Sequence, residues 1–473
     1  MQPITERIEH DLLGDLAVPA VAYYGVHTVR AIENFPISGT QVSAYPELIR
    51  ALADIKEAAS DANFKLGLLD EKRAQAIAAA CQEIRHGKLH DQFVVDVIQG
   101  GAGTSTNMNA NEVIANRAIE LEGFTKGDYS WLHPNEHVNM SQSTNDVYPT
   151  ALRLAGYRGI YSLIDAMEML RKSFAGKAAE FADVLKMGRT QLQDAVPMTL
   201  GQEFSTYAVM LGEDIERLRE ASLLICEINL GATAIGTGIN AHPDYAALVC
   251  RRLAEISTIP VVTSPNLVEA TQDCGSFVQV SGVLKRIAVK LSKICNDLRL
   301  LSSGPRAGFG EINLPARQAG SSIMPGKVNP VIPEVVNQIA FEVIGNDVTI
   351  SFAAEAGQLQ LNAFEPIIAH SLFKSVKHLR AGCLVLAELC IDGITANREM
   401  LRRNVESSIG LVTALNPYIG YDNATRIAQE ALLNNESVYD LVLAKGLLSE
   451  AQLKEILKPE VLTQPRPPVV FAA

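Results

Sequence analysis

The segment Phe277–Leu301, FVQVSGVLKRIAVKLSKICNDLRLL, has the strongest helical periodicity in the chain. Its apolar residues recur at alternating steps of three and four, which is the spacing of a heptad seam. The seam consists of Phe277, Val280, Leu284, Ile287, Leu291, Ile294, Leu298 and Leu301. At a rise of about 1.5 Å per residue, a helix of about 25 residues is roughly 37 Å long. Gly304–Pro305 is expected to end it. Apolar residues off the seam, at Val278, Val283 and Val289, need partners on a second side. The segment is therefore interpreted as the core of a long helical bundle.

Long helices are also predicted on both sides of this segment. A helical pattern runs from Pro46 to about Ile84, through Ile160–Phe174, onward from about Thr199, and again after Pro333. Residues up to about Ile37 read as irregular, and no convincing period-two strand or internal repeat is found. The expected fold class is therefore all-α.

Composition and charge narrow the classes of function. The 473 residues exceed one compact core, so about two to three domains are expected. Charged residues make up 20% and the net charge is −12, which argues against a nucleic-acid partner. The sequence contains no run of 18 apolar residues, so no membrane span is expected. Met1–Gly14 lacks the apolar h-region of a secretory signal peptide. The seven cysteines are dispersed without a CxxC pair, which fits reduced thiols in the cytoplasm.

The loop Gly320–Pro330, GSSIMPGKVNP, has the densest chemistry in the sequence. Its glycines and prolines exclude a helix or strand interior, and two hydroxyls, a lysine and an amide lie between them. One interpretation is a surface loop between two helices. The other is an active-site loop in which Lys327 and Asn329 hold an anion and a serine contacts the reacting carbon.

Three more clusters have short polar side chains next to predicted helices. They are Thr104–Thr106, Ser143–Asn145 and Thr190–Gln191. Each has a simpler explanation as a helix cap or a loop, but together they would form a donor-rich pocket for carboxylates. The sequence His133–His137 also invites a metal-site hypothesis. Pro134 disfavours it, because proline disrupts a helical pair of ligands.

The loop Gly320–Pro330 resembles the signature loop of the aspartase/fumarase superfamily. The resemblance extends over nearly the whole chain, including Asp11–Gly14, Tyr24–Thr28 and Ala354–Asn362. It implies an all-α fold with a central bundle of long helices in a homotetramer, and active sites that are each shared between three chains. The implied domains are residues 1–142 (N-terminal helical), 143–397 (central bundle) and 398–473 (small C-terminal helical).

Within the superfamily the chain is most similar to the aspartase branch. The closest marks are Arg30–Asn34, Gln99–Asn109, Asn229–Asn240 and Cys295–Pro305. Fumarases usually have a histidine where this chain has Gln191, and that histidine takes part in their acid/base chemistry. The resemblance therefore implies reversible elimination of ammonia from L-aspartate to give fumarate, through an aci-carboxylate dianion.

The resemblance also assigns roles to individual residues. Ser321 would be the catalytic base, acting as an oxyanion stabilised by nearby donors and positive charge. Contacts to the β-carboxylate would come from Thr104, Ser143, Thr144 and Ser322. The α-carboxylate would be held by Lys327 and Asn329, and the departing amino group by Asn145, Thr190 and Gln191. This scheme requires no cofactor and no metal, and the substrate is a small molecule.

Two alternatives remain open from the sequence. A fumarase would run the same anti-elimination with water as the leaving group. A non-catalytic structural member of the superfamily is a different class of protein, and the intact Ser321, Lys327 and Asn329 argue against it.

Overall fold

The computed structural model describes residues 5–320, 322–465 and 467 of the chain. Their secondary structure is mainly helical, which confirms the expected fold class. The helices are α1 (Val26–Asn34), α2 (Pro46–Lys65), α3 (Glu71–Arg85), α4 (Thr104–Leu121), α5 (Thr144–Glu180), α6 (Leu200–Leu224), α7 (Tyr245–Ser257), α8 (Leu267–Ala270), α9 (Gly275–Leu301), α10 (Val331–Glu355), α11 (Glu365–Leu389), α12 (Arg398–Ser407), α13 (Leu411–Ile419), α14 (Tyr421–Asn434), α15 (Val438–Ala444), α16 (Glu450–Ile456) and α17 (Pro459–Leu462). In the described part of the chain, no helix is both long enough and apolar enough to cross a membrane.

The heptad helix is present as predicted. Helix α9 spans 27 residues, and every residue of the seam is buried, with exposed fractions between 0% and 5%. Off the seam, Val283 is also buried, whereas Val289 remains exposed. The apolar surface of α9 is thus covered only in part within one chain.

Within the described residues, short strands that the sequence did not predict form four two-stranded sheets. They are β1 (Glu6–Asp11), β2 (Gly14–Pro19), β3 (Leu185–Thr190), β4 (Gln193–Thr199), β5 (Glu227–Ile228), β6 (Val262–Thr263), β7 (Ile312–Asn313) and β8 (Thr395–Ala396). The expectation of irregular structure up to about Ile37 is wrong where β1 and β2 form an antiparallel hairpin. These strands were missed because each is six or seven residues at most and mostly half-exposed, so their apolar alternation is weak.

The helical region predicted from Pro46 to about Ile84 consists of two helices. Helix α2 ends at Lys65, and Gly67 follows with a φ of 73°. Helix α3 then begins after Asp70, whose side chain accepts a hydrogen bond from the Arg73 N–H. An N-capping aspartate is a standard start of a new helix.

The chain divides into two compact units. Unit 1 runs to Ile164 and adds Glu216–Ala288 and Phe341–Leu379. Unit 2 comprises Asp165–Ile215, Val289–Ala340 and the chain from Arg380 onward.

A buried ionic cluster joins three helices of unit 1. Asp54 of α2 is fully buried, and its two oxygens lie 2.5 Å from Arg85 Nε of α3 and 2.5 Å from Arg158 Nη2 of α5. Arg85 also pairs with Glu57. Removal of the Asp54 charge would leave Arg158 with Glu47 at 3.9 Å and Arg85 with Glu57, so two partly buried cations would each lose one close partner.

We expect Asp54→Asn to lower the free energy of unfolding by about 3 kcal/mol, since breaking a buried ion pair on one side leaves uncompensated charge. Urea unfolding at fixed protein concentration measures the change. The matched control is Glu220→Gln, which removes a carboxylate from an exposed pair with Arg217 within one helix and should leave the midpoint unchanged. Equal effects of the two substitutions would contradict the role assigned to Asp54.

Candidate active site

In unit 1, two helices begin at predicted site residues. Helix α4 starts at Thr104 and helix α5 at Thr144. The two starts are linked directly, because Asn107 Nδ2, one turn into α4, donates to Thr144 Oγ1 at 3.1 Å. Helix N-termini present unpaired N–H groups and a partial positive charge. Two such ends side by side form a site suited to a carboxylate.

The turn before α4 has an unusual backbone. Gly101, Ala102 and Gly103 have φ values of 85°, 54° and 89°. A side chain at Gly103 would meet the Tyr148 ring at 2.4 Å, so only glycine fits there. Thr104 is exposed and its hydroxyl donates to the Gly101 carbonyl at 2.7 Å. To bind an anion, this hydroxyl must exchange that carbonyl for the ligand.

At the start of α5, the hydroxyl oxygens of Ser143 and Thr144 each accept a hydrogen bond, and these bonds orient the two hydroxyls. Ser143 Oγ accepts the Asn145 N–H at 3.3 Å, which is the capping role considered from the sequence. Thr144 Oγ1 accepts from Asn107. Since both oxygens act as acceptors, both hydroxyl protons can be donated to an anion. Asn145 Nδ2 donates to the Ala234 carbonyl at 2.8 Å, which fixes the orientation of its amide.

A buried polar network lies beneath Thr144. Lys56 is fully buried, and its Nζ donates to Asn139 Oδ1 and to Gln142 Oε1, both at 2.9 Å. Asn139 Oδ1 also accepts from Asn107 Nδ2 at 3.1 Å. Burial lowers the pKa of Lys56 to about 7. The network therefore supports Asn107, which orients the Thr144 hydroxyl. It also connects the titratable Lys56 to Asn107 through Asn139.

Asp146 fixes the loop that carries Ser143. One of its oxygens accepts the Ser143 N–H at 3.0 Å, and the other accepts the N–H groups of Gly231 and Thr233 at 3.0 and 2.9 Å. Burial raises the pKa of Asp146 to about 6. The glycine-containing segment around residue 231, which is part of the Asn229–Asn240 mark of the resemblance, is thus bound to the start of α5.

In unit 2, Thr190 and Gln191 lie at the tip of the β3–β4 hairpin. Thr190 pairs with Gln193, so the turn consists of Gln191 and Leu192. Both have positive φ, 54° and 62°. Two-residue hairpin turns of this kind usually contain Asn-Gly, and a residue with a Cβ is strained there. Thr190 and Gln191 are exposed, so their side chains are accessible to a ligand.

The signature loop also lies in unit 2 and is closed at its base. The Gly320 N–H donates to the Lys327 carbonyl at 2.8 Å, and Asn329 Nδ2 donates to the Gly320 carbonyl at 3.3 Å. A Cβ at Gly320 would meet the Lys327 oxygen at 2.3 Å. Ser322 and Lys327 are exposed, and Asn329 is half-buried. Ser321, the predicted base, lies outside the described residues.

The imidazole rings of His133 and His137, the possible metal ligands, accept hydrogen bonds from backbone N–H groups. His137 Nδ1 accepts the His133 N–H at 2.8 Å, and His133 Nδ1 accepts the N–H groups of Asn135 and Glu136. Over residues 5–320, 322–465 and 467, no group of three or more metal-ligating side chains is found.

Four residues beside the site were not singled out from the sequence. They are Lys56, Asn107, Asn139 and Asp146. The available signal was weak: Lys56 is a charged residue in an otherwise alanine-rich helical segment, and Asn107 stands among four amide side chains between residues 107 and 116. Their function depends on partners 83 and 85 residues away, which periodicity does not reveal.

Comparisons with known proteins identify the family of the chain. Residues 14–345 match the family described as Lyase, and residues 411–464 match the family described as Fumarase C C-terminus. The chain is 61% identical to an aspartate ammonia-lyase from Pseudomonas aeruginosa, covering 98% of this chain and 99% of the relative.

Solved structures show the same similarity. A fumarate lyase:delta crystallin from Brucella melitensis has a TM-score of 0.95 and 55% identity, covering 97% of this chain and 100% of that one. A class II fumarase from Schistosoma mansoni has a TM-score of 0.90 and 36% identity, covering 96% and 98%. The chain therefore belongs to the aspartase/fumarase superfamily of lyases.

Proposed function

We propose that this chain is an aspartate ammonia-lyase, which converts L-aspartate reversibly to fumarate and ammonia. The main support is the 61% identity with an aspartate ammonia-lyase over almost the full length of both chains. Gln191 points the same way, because its amide does not titrate and so cannot replace the histidine of fumarases. Fumarase activity is the second candidate, with support from the 36% identical fumarase structure.

The β-carboxylate is the group on which the chemistry depends. Removal of a Cβ proton turns it into an aci-carboxylate dianion, so donors must stabilise a second negative charge. Thr104, Ser143, Thr144 and Ser322 are proposed to supply these donors. The hydroxyls of Ser143 and Thr144 support this assignment, because their oxygens already accept N–H groups and their protons are free for the anion.

The α-carboxylate is proposed to bind Lys327 and Asn329, which sets the position of Cβ relative to the base. Ser321 is the proposed base. A serine with an ordinary hydroxyl is a poor base at neutral pH, so its oxyanion must be stabilised by loop donors and by the nearby cation Lys327. Hinge glycines suit a loop that closes over substrate, and we propose such closure for this one.

The departing amino group is proposed to contact Asn145, Thr190 and Gln191. Carbonyl oxygens of Asn145 and Gln191 can accept from an ammonium group. Exposure of the hairpin tip supports the role of Thr190 and Gln191. Neither amide loses a proton near neutral pH, so both can hold ammonia without competing for the proton that Ser321 removes.

The purified chain should release ammonia from L-aspartate and produce fumarate, followed by the ultraviolet absorbance of fumarate and a coupled ammonia assay. L-asparagine and L-malate are the controls. Conversion of malate to fumarate without ammonia release from aspartate would replace the proposal with fumarase activity, and no turnover of either would favour a non-catalytic member.

Ser321→Ala and Lys327→Ala should separate chemistry from binding. Loss of the base should lower kcat by several orders of magnitude with the far-ultraviolet circular dichroism unchanged, since one essential group of such a site is worth about 3–4 kcal/mol or more. Loss of the Lys327 cation should mainly raise KM for aspartate. Near-normal turnover of Ser321→Ala, or an unchanged KM of Lys327→Ala, would contradict these roles.

We also propose a homotetramer in which three chains contribute to each active site, and the domain division at residues 1–142, 143–397 and 398–473. An exposed seam on α10 supports the assembly. Phe341, Gly345, Val348 and Phe352 recur at steps of four, three and four, and the three large side chains are 61%, 51% and 71% exposed. An exposed apolar stripe of this kind needs a partner helix. A buried cluster formed mostly by residues from Val405 to Ile456, together with Met187, supports the C-terminal domain. The seven free cysteines support a cytoplasmic location.

Phe352→Asp should dissociate the tetramer, because it places a charge in the centre of an apolar helix contact. Sedimentation velocity measures the assembly, and activity should fall with it if chains share sites. Leu433→Asp is the control, since Leu433 is 83% exposed and belongs to a different helix, α14. Intact tetramer in both variants would place the interface elsewhere.

A further inference from the structure

The hairpin that presents Thr190 and Gln191 is anchored by a buried carboxylate outside the proposed site. Glu311, just before β7, is fully buried. Its Oε1 lies 2.6 Å from Arg189 Nη1, and its Oε2 lies 2.9 Å from Lys186 Nζ. Both cations are on β3, and Arg189 directly precedes Thr190.

The contact depends on charge. Neither oxygen of Glu311 has an aligned hydrogen bond, although both lie within ion-pair distance of a cation. A glutamine at this position would therefore keep the shape of the side chain and lose the attraction.

Regular strand geometry would not bring both cations to one carboxylate, because residues three apart on a strand point to opposite faces. The β3–β4 ladder is irregular at this point, since its register shifts between Met187 and Arg189. Bulges of this kind re-aim side chains next to functional sites. Here Lys186 and Arg189 both reach Glu311.

Arg189 and Lys186 differ in their other partners. Lys186 Nζ also lies 2.5 Å from Glu203, so it keeps one carboxylate without Glu311. Besides Glu311, the contacts of Arg189 among the described residues are a distant carboxylate, Asp194 at 4.0 Å, and the ring of Phe309 at 4.3 Å from its guanidinium carbon. Removal of the Glu311 charge would thus release Arg189 selectively.

The tip beyond Arg189 needs such an anchor. Gln191 and Leu192 both have left-handed backbone conformations, and strained residues of this kind persist only where the surrounding structure fixes them. We infer that Glu311 is a positioning residue that, through Arg189, holds Thr190 and Gln191 in the geometry that binds the ammonia lost from or added to the substrate. This inference rests on the proposed aspartate ammonia-lyase function.

The amination direction provides a readout that general destabilisation would not move. Because Thr190 and Gln191 contact the amino group and not the carboxylates, Glu311→Gln should raise KM for ammonium by about 10- to 100-fold, as for an ångström-scale misplacement of a catalytic contact. KM for fumarate should stay within about two-fold. Glu203→Gln is the matched control, since it removes a carboxylate from the same cluster without touching Arg189, and it should change neither constant.

Hydrogen exchange of the tip amides gives a second measurement that is independent of activity. Residues 190–193 should exchange faster in Glu311→Gln than in the unmodified chain or in Glu203→Gln. If Glu311→Gln does not fold, Glu311→Asp keeps the charge at a shorter reach and should give smaller shifts of both readouts.

Equal rises of KM for ammonium and fumarate, matching effects of Glu203→Gln, or unchanged tip exchange would each overturn the inference. Absence of ammonia-lyase activity in the unmodified chain would refute the proposed function instead. In that case the ammonium-positioning role of Glu311 falls with it, while hydrogen exchange still decides whether Glu311 fixes the tip.

Discussion

Burial of the Asp146 carboxylate is the constraint on which the unit 1 part of the candidate site depends. A buried carboxylate is costly unless donors compensate for the lost water. Asp146 accepts three N–H groups. One comes from Ser143, three residues before it, and two come from Gly231 and Thr233, which are 85 and 87 residues after it. Its pKa of about 6 leaves it ionised at neutral pH. The Ser143 turn and the Gly231–Thr233 segment are thus held against each other by one charge. That arrangement places the backbone of Ser143 at the start of α5, while Asn107 orients the Thr144 hydroxyl.

Backbone strain marks the same places. Ten residues with a Cβ have positive φ values in the described part of the chain, and four of them, Ala102, Ser141, Gln191 and Thr233, belong to the candidate site or lie beside it. The first two stand two residues before Thr104 and Ser143, the third is itself a predicted site residue, and the fourth donates its N–H to Asp146. Thr233 is the most costly case, because it is β-branched. Two of the four are fixed by polar contacts, because Ser141 donates its hydroxyl to Asn63 and Thr233 donates its N–H to Asp146. This is the pattern expected where a protein preorganises a binding site.

The sequence was sufficient for features that repeat locally. The α9 seam could be located because heptad spacing is a property of one helix, and the signature loop could be located because its glycines and prolines stand together. The β3–β4 hairpin could not, since its turn uses Gln191 and Leu192 instead of the usual Asn-Gly. Lys56, Asp146 and Glu311 could not be assigned either. In the sequence they are single charged residues, and their roles appear only when partners between 83 and 125 positions away are brought into contact.

The choice of neutral donors for the β-carboxylate follows from the energetics of elimination. This carboxylate carries one charge in aspartate and two in the aci-carboxylate intermediate. A cation in direct contact would bind the first charge strongly, and the part of that binding that the ground state and the transition state share does not increase the rate. Hydroxyls and helix N-termini bind a single charge weakly, and they gain more as the second charge develops in a site that excludes water. Ser143 and Thr144 at the start of α5 are donors of this kind, and the described cation near them, Lys56, is buried behind Asn107 and Asn139. The direct cationic contact proposed for Lys327 is to the α-carboxylate, whose charge does not change during the reaction.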